Sequence, residues 1–182
     1  MIGTLDTSYP DPQASTGLML WRVTNAWQRE IRAALAPFDL THVQFVLLAV
    51  LASLGTATPV TQRDLAERAA TDPMMTSQVL RALAAKGLIE RHTHPSDGRA
   101  RLVTITDAGV SLVNRSNAAV ERADRDYFAA LGDAVPAFTA SLATLSAAAD
   151  SAGRSATNDS RTAPAAAASH SADTAVPPDR TR

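Results

Sequence analysis

The chain has 182 residues, 46 % of them apolar, and a formal net charge of −1 from 17 Lys+Arg and 18 Asp+Glu, which suits one domain with a real core. It holds no cysteine, so disulfides and thiol chemistry are excluded. Its longest apolar run, Phe45 to Ala52, is eight residues and far short of a membrane span. The first basic residue is Arg22, so the N-terminus lacks the charged start of a secretory signal, and a cytoplasmic protein without membrane contact is expected.

Residues 1–14 carry Pro10 and Pro12 and no helical periodicity, and they read as a flexible lead. From Gly17 to Ala36, Leu20, Val23, Trp27, Ile31 and Leu35 form one apolar helical stripe, closed by Pro37. Thr41 and Gln44 then make a capping box for a helix that is apolar nearly all round from Phe45 to Leu54, which calls for central burial. Thr61 caps a short helix with Leu65, Ala66 and Ala69 on one side, and Ala70-Thr71 turn the chain. Asp72 and Pro73 open the next helix as N-cap and first residue; Gly87 ends it in a left-handed conformation. Leu88–His92 and Arg101–Ile105 read as a hairpin around a Pro- and Asp-Gly-containing loop. Thr106 caps a long helix with Leu112, Val113, Val120, Tyr127, Phe128 and Leu131, and Gly132-Asp133 breaks it. A last helix carries Val135, Phe138, Leu142 and Leu145. Residues 150–182 are Ala, Ser, Thr, Pro and Asp with a single branched apolar residue, Val176, and read as a disordered, solvating tail.

The informative stretch is 61–106. On the helix opened by Asp72, Thr76, Val79, Leu80 and Leu83 share the inward side, while Met74, Ser77, Gln78, Arg81 and Ala85 face out. Glutamine can address adenine, arginine guanine or phosphate, serine is adaptable, and methionine can lie on a thymine methyl. A solvated polar face would look the same, and the hairpin is what shifts the balance. Arg91, Arg99 and Arg101, with His92 and His94, stand against Glu90 and Asp97, concentrating positive charge in a chain that is otherwise slightly acidic.

The run Asp97-Gly98-Arg99-Ala100-Arg101-Leu102-Val103-Thr104-Ile105-Thr106-Asp107-Ala108-Gly109 resembles the D-x-R wing, strand and T-x-x-G of the MarR family of winged helix-turn-helix transcription regulators. Leu83 to Arg91 resembles that family's L-x-x-x-G-L-hydrophobic-x-R passage, and Leu40-Thr41 with Gln44-Phe45 its preceding helix opening. The resemblance covers about residues 15–149. It implies a mostly α, α+β fold: a winged helix-turn-helix lobe over about 41–105, with the N- and C-terminal helices forming a dimerisation layer.

The roles implied follow residue by residue. Arg99 would be the wing-tip arginine in the minor groove, oriented by Asp97; a local surface ion pair is the plainer alternative for these two. Met74, Ser77, Gln78 and Arg81 would lie on the recognition helix, Arg91 and Arg101 on the wing. Thr61 and Gln62 would meet phosphate from a helix start. A homodimer would set two such units against double-stranded DNA with a pseudo-palindromic operator. The family also implies a small aromatic or phenolic effector, for which Trp21, His42 and Phe45 are candidate pocket residues; plain core packing is the alternative for Phe45.

No nucleophile elbow, phosphate-binding glycine loop or paired-histidine helix motif is present, so no enzyme, cofactor or metal is expected. His92, His94 and Asp97 lack a fourth strong ligand. The expectation is a ligand-relieved, sequence-specific repressor; a winged-helix protein-interaction module is the alternative, which the charge on the wing disfavours.

Overall fold

Capping and punctuation residues divide the chain into helices at the expected places. The computed structural model describes residues 6–55, 59–97 and 100–162. Ser15 accepts from the Leu18 amide and starts α1 (Thr16–Leu35). The turn Ala36–Phe38 follows, ending on Asp39 in a left-handed conformation, φ 51°. Thr41 and Gln44 form a complete capping box at the head of α2 (His42–Leu54). After β1 (Val60–Thr61) come α3 (Gln62–Arg68) and α4 (Pro73–Ala85), then β2 (Ile89–Thr93), β3 (Arg101–Ile105) and α5 (Asp107–Phe128).

The hairpin is part of a three-stranded antiparallel sheet in the order β1-β3-β2. Val60 pairs with Val103 and Thr61 with Leu102, while β2 and β3 pair from Ile89–Ile105 to Thr93–Arg101. The sequence announces only two of these strands. A two-residue strand has too little pattern to show a period, and it exists because β3 offers it an edge.

Residues 1–132 and 133–182 form two units. In the first, Ile31, Leu35, Leu47, Leu48, Leu65, Leu80, Leu83 and Val103 are fully buried. Side chains of this kind each contribute about 1.5–3 kcal/mol relative to exposure. This core joins α1, α2, α3, α4, the sheet and α5, and α2 packs against α1, α3, α4 and α5. The near-uniform apolarity of α2 is thereby explained: every face has a neighbour. The α1 stripe behaves differently. Ile31 and Leu35 are buried, whereas Leu20 is 50 % exposed and Val23 39 % exposed, so the stripe's N-terminal half is uncovered in a single chain.

The close approach of α5 to the end of α4 rests on Gly109. Thr106 caps α5 by accepting from the Gly109 amide at 3.1 Å and donates its hydroxyl to Gly87 O at 2.8 Å. The Thr106 amide donates to Leu88 O at 3.1 Å. A side chain on Gly109 would collide with that same Leu88 carbonyl and stand 2.8 Å from Ile105 Cγ1. The T-x-x-G pattern is therefore a packing requirement as well as a cap.

In the second unit, α6 (Val135–Thr162) leaves Leu142 and Leu145 exposed. It runs past Ala149, where the sequence reading begins a disordered tail. Residues 150–162 hold Ala152 and Ala156 among mostly Ser, Thr, Asn, Asp and Gly153, which are weaker helix formers, so this stretch continues as propagation of a helix already nucleated before it. The described part of the helix reaches Thr162. Residues 163–182 lie outside the described residues. The sequence shows no unbroken apolar run of spanning length, yet by averaging, one 18-residue window within Asp107–Ala149 reaches a mean hydropathy of 1.4, with none of it buried.

Candidate nucleic-acid interface

The second helix of the helix-turn-helix is fixed at both ends. At its start, Asp72 accepts from the Met75 amide at 2.8 Å. Thr76, fully buried, donates its hydroxyl to Asp72 O at 2.8 Å and lies 2.7 Å from the Thr71 hydroxyl, which ties the turn to the helix. At its end, the Gly87 amide donates to Ala84 O and the Leu88 amide to Leu83 O, with Gly87 at φ 69°. This pair of bonds is a Schellman motif, and it satisfies carbonyls the helix leaves open.

Between those clamps, Leu80 and Leu83 are buried and the opposite face is open. Met74 is 75 % exposed, Gln78 and Arg81 are exposed, and Ser77 is half-buried beside them. Side chains expected to face outward therefore do so. Thr61 caps α3 as expected, accepting from the Asp64 amide at 3.1 Å.

The wing is a hairpin closed by His94 N donating to Ala100 O at 3.2 Å and Ala100 N to Asp97 O at 3.0 Å. Arg101 donates to Thr93 Oγ1 at 3.1 Å across the two strands. His94 accepts from the Ser96 amide at 3.3 Å, and His92 pairs with Glu90 at 3.2 Å. Among the described residues no group of three His, Cys, Asp or Glu side chains is placed to hold a metal. Gly98 and Arg99, the expected wing tip, lie outside the described residues, so the structure describes Asp97 without the arginine it was expected to orient.

Gln62 and Arg91, expected as separate DNA contacts, meet each other. With the amide oxygen turned towards the guanidinium, as the partners require, Gln62 Oε1 accepts from Arg91 Nε at 3.3 Å and Nη2 at 2.7 Å. The pair braces the wing strand β2 against the head of α3. Beside it, Thr61, Gln62, Arg63, Asp97, Ala100 and Arg101 line a concave region of about 430 Å³ at the start of α3, with two arginines and one aspartate among them. That is a setting suited to a phosphate.

One contact has no local sequence signature. Lys86, the only lysine in the chain, caps the end of α4 and donates from Nζ to Asp39 O at 2.5 Å and Asp39 Oδ2 at 2.8 Å. It links the recognition helix to the α1–α2 corner, 47 residues away. Its solitude in the composition was the available hint.

The three candidate effector residues have different surroundings. Trp21 is 68 % exposed on α1, Phe45 is 7 % exposed within the core, and His42 is half-buried with its ring against Trp27. Burial pushes the His42 imidazole below its ordinary value; Asp124 opposes the shift and Arg32 adds to it.

Comparison with known proteins agrees with this geometry. Residues 40–100 match the MarR family model. The uncharacterized HTH-type transcriptional regulator YdcH of Bacillus subtilis is 42 % identical over 125 residues, 68 % of this chain and 85 % of the relative. The HTH-type transcriptional repressor Rv2887 of Mycobacterium tuberculosis is 34 % identical over 118 residues, 65 % of this chain and 83 % of the relative. Among solved structures, BpsR of Bordetella bronchiseptica, determined in work on regulation of its DNA binding by 6-hydroxynicotinic acid, superposes with a TM-score of 0.66 at 27 % identity, covering 71 % of this chain and 97 % of BpsR. The chain belongs to the MarR family of winged helix-turn-helix, DNA-binding transcriptional regulators.

Proposed function

We propose that this regulator acts in the cytoplasm as a homodimeric repressor that grips a pseudo-palindromic operator and releases it on binding a small aromatic or phenolic molecule. The carrying observation is the α4 face, where Met74, Ser77, Gln78 and Arg81 stand clear of the core on a helix clamped at both ends. These four address base edges; Thr61 and Gln62 meet phosphate; Arg99 enters the minor groove with Asp97 orienting it, and Arg101 flanks it. Arg91 contributes through its bond to Gln62 as well as its charge. The exposed Leu18, Leu20 and Val23 on α1 and Leu142 and Leu145 on α6 support a partner chain, since apolar surface of that kind is a common mark of an interface.

Release by an aromatic effector is supported by the regulation of BpsR by 6-hydroxynicotinic acid, and repression by the name of the mycobacterial relative. We place the effector at the junction of α1 and α2, with Trp21 and His42 offering aromatic and polar contacts and Phe45 the floor. A gel-shift with DNA from upstream of the protein's own gene tests the DNA reading. Affinity is expected to fall steeply and log-linearly with salt, and Arg99→Ala to weaken it further and flatten the slope by about one unit. Failure to bind any duplex at low salt would contradict the proposal.

A further inference from the structure

One polar cluster takes no part in facing DNA. Trp27 of α1, His42 in the first turn of α2 and Asp124 of α5 meet where those helices pack together. The indole Nε1 donates to Asp124 Oδ1 at 2.7 Å. The imidazole meets the indole edge to face, with ring centroids 5.2 Å apart and planes at 74°. All three side chains are half-buried. Helices α1 and α5 are outside the helix-turn-helix, whereas α2 packs directly on α3 and α4. The cluster is therefore a polar link between the supporting helices and the helix that carries the DNA-reading pair.

We propose that Trp27, His42 and Asp124 form a joint that sets the DNA-binding lobe on α1 and α5, and that proton uptake by His42 loosens it. The consequence for DNA rests on the function proposed above; the joint itself does not. The charged groups acting on the imidazole are Asp124 from α5, which favours the cation, and Arg32 from α1, which opposes it. The positive end of α2 opposes it too, because His42 is the first residue after the Thr41 cap. Burial is the largest influence and favours the neutral ring. An imidazolium here would draw the Asp124 carboxylate away from the indole N–H, so the bond holding Trp27 weakens as His42 charges.

The sign follows from linkage. A histidine whose value is lowered by folding stabilises the fold fully above its ordinary value of 6.5, and that contribution is lost as pH falls from 6.5 through the lowered value. Operator affinity is expected to decline as pH falls through the lowered value, where the folded chain takes up the proton, by up to about tenfold per pH unit for one linked proton.

Two arms test the joint on the full chain without effector. The chain has two tryptophans, so in a Trp21→Phe background the emission reports Trp27 alone. Titrated from pH 8 to 5, emission should change with a midpoint below 6.5. The transition should vanish in Trp21→Phe/His42→Gln and move to still lower pH with Asp124→Asn, which keeps an acceptor but removes the charge. In the second arm, duplex affinity of the native chain should fall with pH over that window, and that of His42→Gln should not. Emission indifferent to pH, or a transition that survives His42→Gln, overturns the joint. A proper emission transition with parallel affinity profiles overturns its coupling to DNA. If neither chain binds duplex at any pH, the DNA reading fails instead, and the emission arm still decides the joint.

Discussion

Replacing Gln78 and Arg81 together by alanine lowers affinity for the preferred duplex by about thirtyfold or more, taking each base contact at about 1–3 kcal/mol. Affinity for an unrelated duplex should change far less, because non-specific binding is carried by the phosphate contacts elsewhere. The two residues lie three apart on α4, both exposed, with Leu80 and Leu83 buried behind them. Truncating them leaves the core, the Asp72 cap and the Gly87 end intact, so the fold should be unaffected. Competition gel-shifts with specific and random duplexes measure the difference. An equal loss on both would mean that these side chains hold phosphate and that base reading resides elsewhere.

The largest effect on stability is expected from Gly109→Ala. The new methyl group would press on the Leu88 carbonyl, a backbone atom that cannot swing aside, and on Ile105. That carbonyl already accepts from the Thr106 amide, and the Leu88 amide closes the end of α4. The substitution therefore strains three elements at one point. Overpacking of this kind costs about 1–3 kcal/mol. Urea unfolding at fixed protein concentration should show a lower midpoint with an unchanged slope. Since α4 ends at the same spot, DNA affinity should fall as well. An unchanged midpoint would show that α5 can shift outward freely.

Much of this fold was legible because local rules and tertiary packing agree. Thr41 with Gln44, Asp72 with Pro73, and Gly87 each mark a boundary by a mechanism confined to a few residues, and each boundary stands where the residues put it. What escaped the sequence depends on partners remote in the chain. Val60–Thr61 is a strand only because β3 lies beside it. The Gln62–Arg91, Lys86–Asp39 and Trp27–Asp124 contacts join residues 29 to 97 positions apart, with no period to announce them. The stretch after Ala149 differs in the other direction. Its composition buries little and is poor in strong helix formers, which reads as unstructured, yet α6 continues from the preceding helix to Thr162. For the interface, outward residues of α4 were readable from a 100° period, whereas the pairing of Arg91 with Gln62 was not.

Light scattering on the purified chain, alone and titrated with its upstream duplex, weighs most directly on the claim that two chains present paired α4 faces to one DNA. The account predicts a particle of twice 19.1 kDa alone, and that mass plus one duplex, with two chains per duplex, at saturation. A particle of 19.1 kDa that saturates the duplex as a single chain, or stays unbound at low salt, would contradict it.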